Sequence, residues 1–356
     1  VSAFSLWRAH EKFAGAISMP FRARRIVFHA NTFTEGARLR GYLRLISVTP
    51  RSHVADIQVS DGNGNLLIHF RGWEELCERV PPEYHQFILR PSEQYLTRDL
   101  PLEMLGNPAT PVAASVATEV PFKIFENNQE LWLKTLAHVL LAPVEREEWL
   151  EMQGATSRRV EWLFGRAAAK EAVRRFLVKY HQARWTDADI PIWPDDSGKP
   201  HPLGPWREHT AAKIDLSITH TSKLIIAAVA ANARIGIDVE VLGRALSDDF
   251  TRGVFTHEEL ELAAHTGEAP TAVLRFWCAK EAISKALGTG IRYSPQDLRI
   301  TAVDAMTGQL QIELLGQWLE PFKQFKGRKN PIHTSLFEGH AVATCLLPAS
   351  LFETPE

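Results

Sequence analysis

Three segments carry residue types that could do chemistry. In Ile235-Gly236-Ile237-Asp238-Val239-Glu240, two carboxylates stand two residues apart. On a strand, Asp238 and Glu240 leave the same face, while Ile237 and Val239 point to the core. Two like charges side by side repel, which favours a cation between them. All-oxygen ligands of this kind suit Mg²⁺ shared with a phosphate, although a solvated strand end has the same pattern. In Phe276-Trp277-Cys278-Ala279-Lys280-Glu281-Ala282-Ile283-Ser284-Lys285-Ala286-Leu287-Gly288-Thr289-Gly290-Ile291, Glu281 and Lys285 lie four apart on one helical face. An ordinary surface salt bridge would look the same. The third segment, Ser217-Ile218-Thr219-His220-Thr221, ends a predicted strand, and a lone histidine there fits a structural role as well as a functional one. Upstream, Gly198-Lys199-Pro200 sits in a loop that any turn could host. Thr256-His257-Glu258-Glu259 lacks the second histidine of HExxH and reads as a capping box at a helix start. No P-loop and no GxGxxG occurs.

The elements that must position these residues follow from periodicity. Helices are predicted over 128–141, 145–152, 157–181 and 271–287, the last with Phe276, Ala279, Ile283, Ala286 and Leu287 as its apolar stripe. Strands are predicted over 214–219, 224–230, 235–239, 309–315, 334–337 and 340–346. Earlier in the chain, a helix over 2–13 is followed by strands near 25–30, 38–48, 54–60 and 66–70. Ala55, Ile57 and Val59 there alternate with polar neighbours, and Asp61-Gly62-Asn63-Gly64 makes a hairpin turn. Between 91 and 118 the pattern dissolves around Pro91, Pro101, Pro108 and Pro111, which predicts a domain boundary with a linker over 101–118.

The chain has 356 residues, enough for two domains, with 40 Lys+Arg against 42 Asp+Glu. That near-balance argues against a basic nucleic-acid binder. Cys77, Cys278 and Cys345 form no CxxC pair and fit a reduced, cytoplasmic setting. The longest apolar run, 224–231, is too short to cross a bilayer. A start at Val1 without a signal sequence suggests a piece of a longer polypeptide.

Taken in order, GKP, SITHT, GIDVE, VFTHEEL and FWCAKEAISKALGTGI resemble the 4′-phosphopantetheinyl transferase superfamily over roughly 121–347. GKP and SITHT ahead of GIDVE point to its larger type. The resemblance implies an α+β pseudodimer of two similar halves, about 119–232 and 233–347, within a transferase domain over 119–356. It implies transfer of the 4′-phosphopantetheine arm of coenzyme A to a carrier-protein serine, with Mg²⁺ on Asp238, Glu240 and Glu281. Glu281 matches the favoured general base, Lys285 the lysine that contacts the phosphates, and His220, beside Thr219, the histidine at the 3′-phosphate. Gly198, Lys199 and Pro200 match the loop that cradles the adenine. Arg166, and Lys170 one turn on, match basic positions reaching the coenzyme A phosphates, although a solvated basic face would look alike.

Residues 1 to about 100 resemble part of the second hot-dog half of a polyketide-synthase dehydratase, with a turn expected at Met19-Pro20-Phe21. No matching Asp precedes Phe13 and the first half is absent, so the segment is expected to be a structural or docking remnant. The pairing resembles the tail of an iterative, enediyne-type synthase, which implies an acyl carrier protein of the same synthase as partner. A non-catalytic carrier-docking module and a hot-dog thioester dehydratase fragment are the competing readings.

Overall fold

The computed structural model describes residues 16–30, 35–49, 51–79, 81–118, 131–304 and 306–352. The chain divides into two units, Val1–Leu89 and Arg90–Glu356. The helix expected over 2–13 and the start of that expected over 128–141 lie outside the described residues.

The first unit is a four-stranded antiparallel sheet of β1 (Ala16–Phe28), β2 (Arg40–Val48), β3 (Ser52–Ser60) and β4 (Leu66–Arg79), in the order β1-β4-β3-β2. Helix α1 (Pro82–Leu89) follows. Ala55 and Ile57 are buried beneath Leu43, Leu45, Phe70 and Trp73, as the two-residue period requires. Asp61 closes the β3–β4 turn by accepting from the amides of Asn63 and Asn65, both at 2.9 Å. Met19–Phe21, expected to be a turn, lies inside β1. There the pairing with β4 shifts register between Pro20 and Arg22. An edge strand tolerates a proline at such a bulge because no neighbour needs its amide.

In the second unit, the expected linker is not a linker. After the short β5 (Arg98–Asp99), β6 (Val112–Thr118) pairs with both β5 and β10 (Leu224–Ala231), and β9 (Ile214–His220) lies on the far side of β10. Val112, Ala114 and Val116 are buried in the core with Leu100 and Leu105. The four prolines all lie ahead of β6 and leave the strand itself uninterrupted.

Two short strands, β7 (Ile192–Pro194) and β8 (Pro200–Pro202), pair with each other, and a five-stranded sheet runs β11-β15-β14-β13-β12, built from β11 (Ala233–Val241), β12 (Leu298–Val303), β13 (Gln309–Leu314), β14 (Lys329–Phe337) and β15 (His340–Pro348). Helices α2 (Leu131–Leu140), α3 (Pro143–Glu151) and α4 (Thr156–His181) lie between β6 and β9, and α5 (Asp248–Val254), α6 (His257–Ala264) and α7 (Ala269–Leu287) lie between β11 and β12. The long helix α4 packs on β6, β10 and β9, and α7 packs on β11, β15 and β14. The five apolar residues expected to line α7 are all buried. Gly288 ends α7 at φ 85°, its amide donating to Ser284 and Lys285.

One constellation occurs twice. Glu145, in the first turn of α3, accepts from the amides of Ala142 and Ile192 and from the buried Lys170 of α4, which also donates to the Asp187 carbonyl at 3.0 Å. Glu259, in the first turn of α6, accepts from the amides of Thr256 and Ile300 and from the buried Lys280 of α7, which also donates to the Pro295 carbonyl at 2.9 Å. Each pair fixes a long helix against the loop and strand that follow it.

Strand β11 lies so close to α7 that Gly236 has no room for a side chain. A Cβ there would stand 1.8 Å from the Ala282 carbonyl oxygen and 2.6 Å from the Ala286 amide. Both obstacles are backbone, so helix and strand must part to admit a methyl group. Gly236→Ala is expected to lower stability by about 3 kcal/mol or more, read as a drop in the urea midpoint. An unchanged midpoint would show that this contact is looser than described.

Candidate functional site

Strand β11 is the edge of its sheet, so half of its amides lack a ladder partner. Strand β9, the edge of the other sheet, supplies side chains instead. Asp215 accepts from the Ile235 amide at 2.7 Å, and Ser217 accepts from the Ile237 amide at 3.1 Å. The Thr219 hydroxyl donates to Asp238 Oδ1 at 3.0 Å. Residues 215, 217 and 219 share one face of β9, while Leu216 is buried behind them. This stitching was legible as an alternation of Asp, Ser and Thr, but it became meaningful only once two edges were known to meet.

A cavity of about 680 Å³ opens beside the seam, with Thr219, His220, Asp238, Glu240, Glu281 and Lys285 on its wall. Asp238 is buried, and Lys285 reaches back from the last turn of α7 to donate to its Oδ1 at 2.7 Å and to the Ile237 carbonyl at 3.2 Å. Glu240 accepts from Arg244 at 2.7 and 2.6 Å and from the Trp277 indole at 3.2 Å. The Glu281 carboxylate has no protein hydrogen-bond donor among the described residues. Burial first, then the nearby Asp238 charge, pushes its carboxyl up to about 7, against the pull of Lys285. Burial, with Asp238 and Glu240 close by, also raises the Cys278 thiol, so this cysteine is no nucleophile.

A smaller recess of about 170 Å³ adjoins, with Gly198, Lys199, Pro200, Ser217 and Gly288 on its wall and Lys285 shared between both spaces. Gly198 lies at φ 82° in a turn held by Asp195, which accepts from the amides of Ser197 and Lys199. The Lys199 ammonium pairs with Asp215 at 2.7 Å, so this turn is tied to the seam.

Two predicted site residues stand elsewhere. Lys170 is fully buried against Glu145 and Asp187. Arg166 stacks on Trp162 at 4.4 Å with its guanidinium 3.6 Å from Glu145, and neither residue lines either cavity. The 166/170 stripe of α4 faces α3 rather than the seam, and the acidic partner that claims it is 25 residues upstream of Lys170. Sequence reasoning missed Arg244 and Trp277, which hold Glu240, and Arg234, which donates to the Leu287 carbonyl at 3.1 Å and stacks on Phe352 at 3.7 Å.

Among the described residues, no three His, Cys, Asp or Glu side chains stand together as ready metal ligands. The donor chemistry nevertheless fits a hard divalent cation. Three carboxylates share one wall, two of them are covered by internal cations, and the third is driven toward its protonated form by burial first and then by the others. Asp238, Glu240 and Glu281 would hold such an ion once Lys285 and Arg244 withdrew.

Antiparallel sheets carrying a long helix, with carboxylates and a lysine at their seam, make this an α+β protein. The family model described as ACPS, the 4′-phosphopantetheinyl transferase superfamily, matches residues 234–345. The holo-[acyl-carrier-protein] synthase of Dinoroseobacter shibae is 34% identical over 114 residues, covering 30% of this chain and 82% of that protein. That of Treponema denticola is 36% identical over 120 residues, covering 32% and 94%. A solved holo-(acyl-carrier-protein) synthase of Bacillus anthracis, in complex with CoA (3′,5′-ADP), is 25% identical over 34% of this chain and 95% of that one, with a TM-score of 0.27. The chain belongs to the 4′-phosphopantetheinyl transferase superfamily. The family match contains Asp238, Glu240, Glu281 and Lys285, and leaves Lys199, Thr219 and His220 outside it.

The Glu281 carboxyl generates a pH prediction. It binds its proton at about 7 in the folded chain against an ordinary value of 4.5, so the folded state holds more protons than the unfolded state between these values. Stability therefore falls as pH rises through this window. In EDTA, Glu281→Gln is expected to unfold at higher urea than the parent protein at pH 8, with the gain closing toward pH 4.5. A gain of equal size at both pH values would show that the carboxyl is not under this pressure.

Proposed function

We propose that the chain transfers the 4′-phosphopantetheine arm of coenzyme A to a serine of an acyl carrier protein and releases adenosine 3′,5′-bisphosphate. The observation that carries this reading is the gathering of Asp238, Glu240, Glu281 and Lys285 on one cavity wall, all inside the segment that matches the family. The serine oxygen attacks the phosphorus that bears the pantetheine. The bond from that phosphorus to the bridging oxygen breaks, and the nucleotide departs with the electron pair. Such a transfer needs positioning and charge neutralisation more than covalent catalysis. The Glu281 carboxyl, pushed up to about 7, is deprotonated in part at neutral pH, and in that form it is suited to take the serine proton directly or through a water. Lys285 stands between cavity and recess, where its ammonium can leave Asp238 for the pyrophosphate. His220, exposed at the rim, would meet the 3′-phosphate, and the Gly198–Pro200 turn would flank the adenine. Mg²⁺ on Asp238, Glu240 and Glu281 would supply charge neutralisation for the pyrophosphate oxygens.

A pseudodimer is the finer reading of the fold. It is supported by the repeated Glu145–Lys170 and Glu259–Lys280 constellations and by the parallel strand orders β6-β10-β9 and β11-β15-β14. On this reading the first half begins at β6, and Ser115, Glu171 and Arg175 occupy the places of Asp238, Glu281 and Lys285. Glu171 is fully buried and accepts from the amides of Leu96 and Thr97, so only the second half offers a site. The four-stranded sheet of the first unit is consistent with part of a hot-dog domain, which would place the transferase in a polyketide synthase and make that synthase's own carrier the partner. No helix of the described residues is long and apolar enough to cross a membrane, and work on a carrier protein fits the cytoplasm.

Incubating the protein with apo carrier protein, coenzyme A and Mg²⁺ should add the phosphopantetheine mass to the carrier by mass spectrometry. No such mass on any of several carriers would defeat the proposal. The two lysines of α7 should separate. Lys285→Met is expected to lower the rate by about 100-fold or more with the fold intact. Lys280→Met strands the buried Glu259 and is expected to lower stability by about 3–5 kcal/mol. Equal rates for Lys285→Met and the parent protein would remove Lys285 from the chemistry.

A further inference from the structure

Glu240 is the one carboxylate of the site whose two oxygens are both already taken. Arg244 Nη1 reaches Oε1 at 2.7 Å and Oε2 at 2.6 Å, and the Trp277 indole adds a bond to Oε1. The two donors differ in how they are held. Trp277 is half-buried on α7 and packs edge-on to Phe250 at 5.0 Å. Arg244 stands in the turn after β11, its backbone amide bonded to the Val241 carbonyl at 3.3 Å. Its side chain is 53% exposed, that of Glu240 only 15%, and its guanidinium has no other hydrogen-bond partner among the described residues. So Glu240 is fixed and Arg244 is a free arm, attached at the cavity by Glu240 alone.

A divalent cation and a guanidinium repel, and they cannot share the same carboxylate at full strength. We propose that Arg244 is a resident counter-ion: it covers Glu240 while the metal is absent, competes with the metal for that carboxylate, and swings out of the cavity when the metal binds. The proposal rests on Glu240 being a metal ligand. It accounts for how three carboxylates can crowd one wall before any ion arrives. Lys285 covers Asp238, Arg244 covers Glu240, and the two cations face different fates. Lys285 is the less exposed of the two and can turn from Asp238 toward the phosphates, whereas Arg244 has solvent to retreat into. The alternative role for Arg244, orienting Glu240 for the metal, predicts the opposite sign on removal.

Mn²⁺ binding to the full chain, followed by the electron paramagnetic resonance signal of the free ion and without carrier or coenzyme A, distinguishes these. Arg244→Ala is expected to bind Mn²⁺ about two- to five-fold more tightly, the range of an exposed ion pair removed from the competition. Arg244→Lys should fall between it and the parent. In a Glu240→Gln background, Arg244→Ala should change nothing, because there is no longer a carboxylate to contest. Circular dichroism of each variant checks that the fold is kept. Unchanged or weaker Mn²⁺ binding by a folded Arg244→Ala overturns the counter-ion role. If the parent protein itself binds no Mn²⁺, the assignment of Glu240 as a ligand fails first, and the proposal fails with it.

Discussion

The seam between β9 and β11 is the interaction on which the site depends. Two sheet edges ordinarily either pair through their backbones or are kept apart. Here they meet through side chains, with Asp215 and Ser217 capping the amides of Ile235 and Ile237. A backbone ladder would have drawn the strands to full pairing distance and left little room beside them. Side-chain stitching satisfies the exposed amides of β11 and leaves its far end open, where Asp238 and Glu240 face the cavity. The same stitching recruits the Gly198–Pro200 turn, because Asp215 also holds Lys199.

Close packing of α7 on the other side completes the geometry. With no side chain at Gly236, the helix backbone approaches β11 directly, and Lys285 can reach the Ile237 carbonyl and Asp238 from the final turn. The buried Lys280–Glu259 pair fixes the rotation of that helix. A lysine that sets the helix in place and one that faces the cavity lie five positions apart. A buried ion pair contributes little net stability compared with an apolar substitute, so its value here lies in specificity. It accepts only one orientation of α7, and that orientation puts Glu281 beside Asp238.

Much of this was legible from residue order. The alternation of Ile237, Asp238, Val239 and Glu240 gave the strand and its two faces, and Thr256 with Glu259 gave the helix start as found. What the chain concealed follows a physical pattern. Strand β6, Val112–Thr118, is made of small residues directly after a run of prolines, and nothing local distinguishes it from a linker. Its strand character comes from pairing with β10, more than a hundred residues away. Arg166 and Lys170 resemble phosphate ligands because a basic helix face carries no record of what it meets. Glu145 and Asp187 decide the matter, and both are remote in sequence.

Charge balance explains why a site with so many acids is stable before it is loaded. Each carboxylate of the wall is relieved by a different means: Asp238 by the Lys285 ammonium, Glu240 by the Arg244 guanidinium, and Glu281 by retaining a proton to about pH 7. These three kinds of relief have different strengths. The ammonium is half-buried and bonded twice, the guanidinium lies mostly in solvent, and the proton exchanges freely with water. A divalent ion entering the cavity would therefore meet least resistance at Glu281, more at Glu240 and most at Asp238. That order leaves Lys285 as the last cation to be released, at the point where cavity and recess meet and where the pyrophosphate of coenzyme A would lie. With Asp238, Glu240 and Glu281 as metal ligands, the lysine that steadies Asp238 would become available for the transferring group only after the other carboxylates had exchanged their partners.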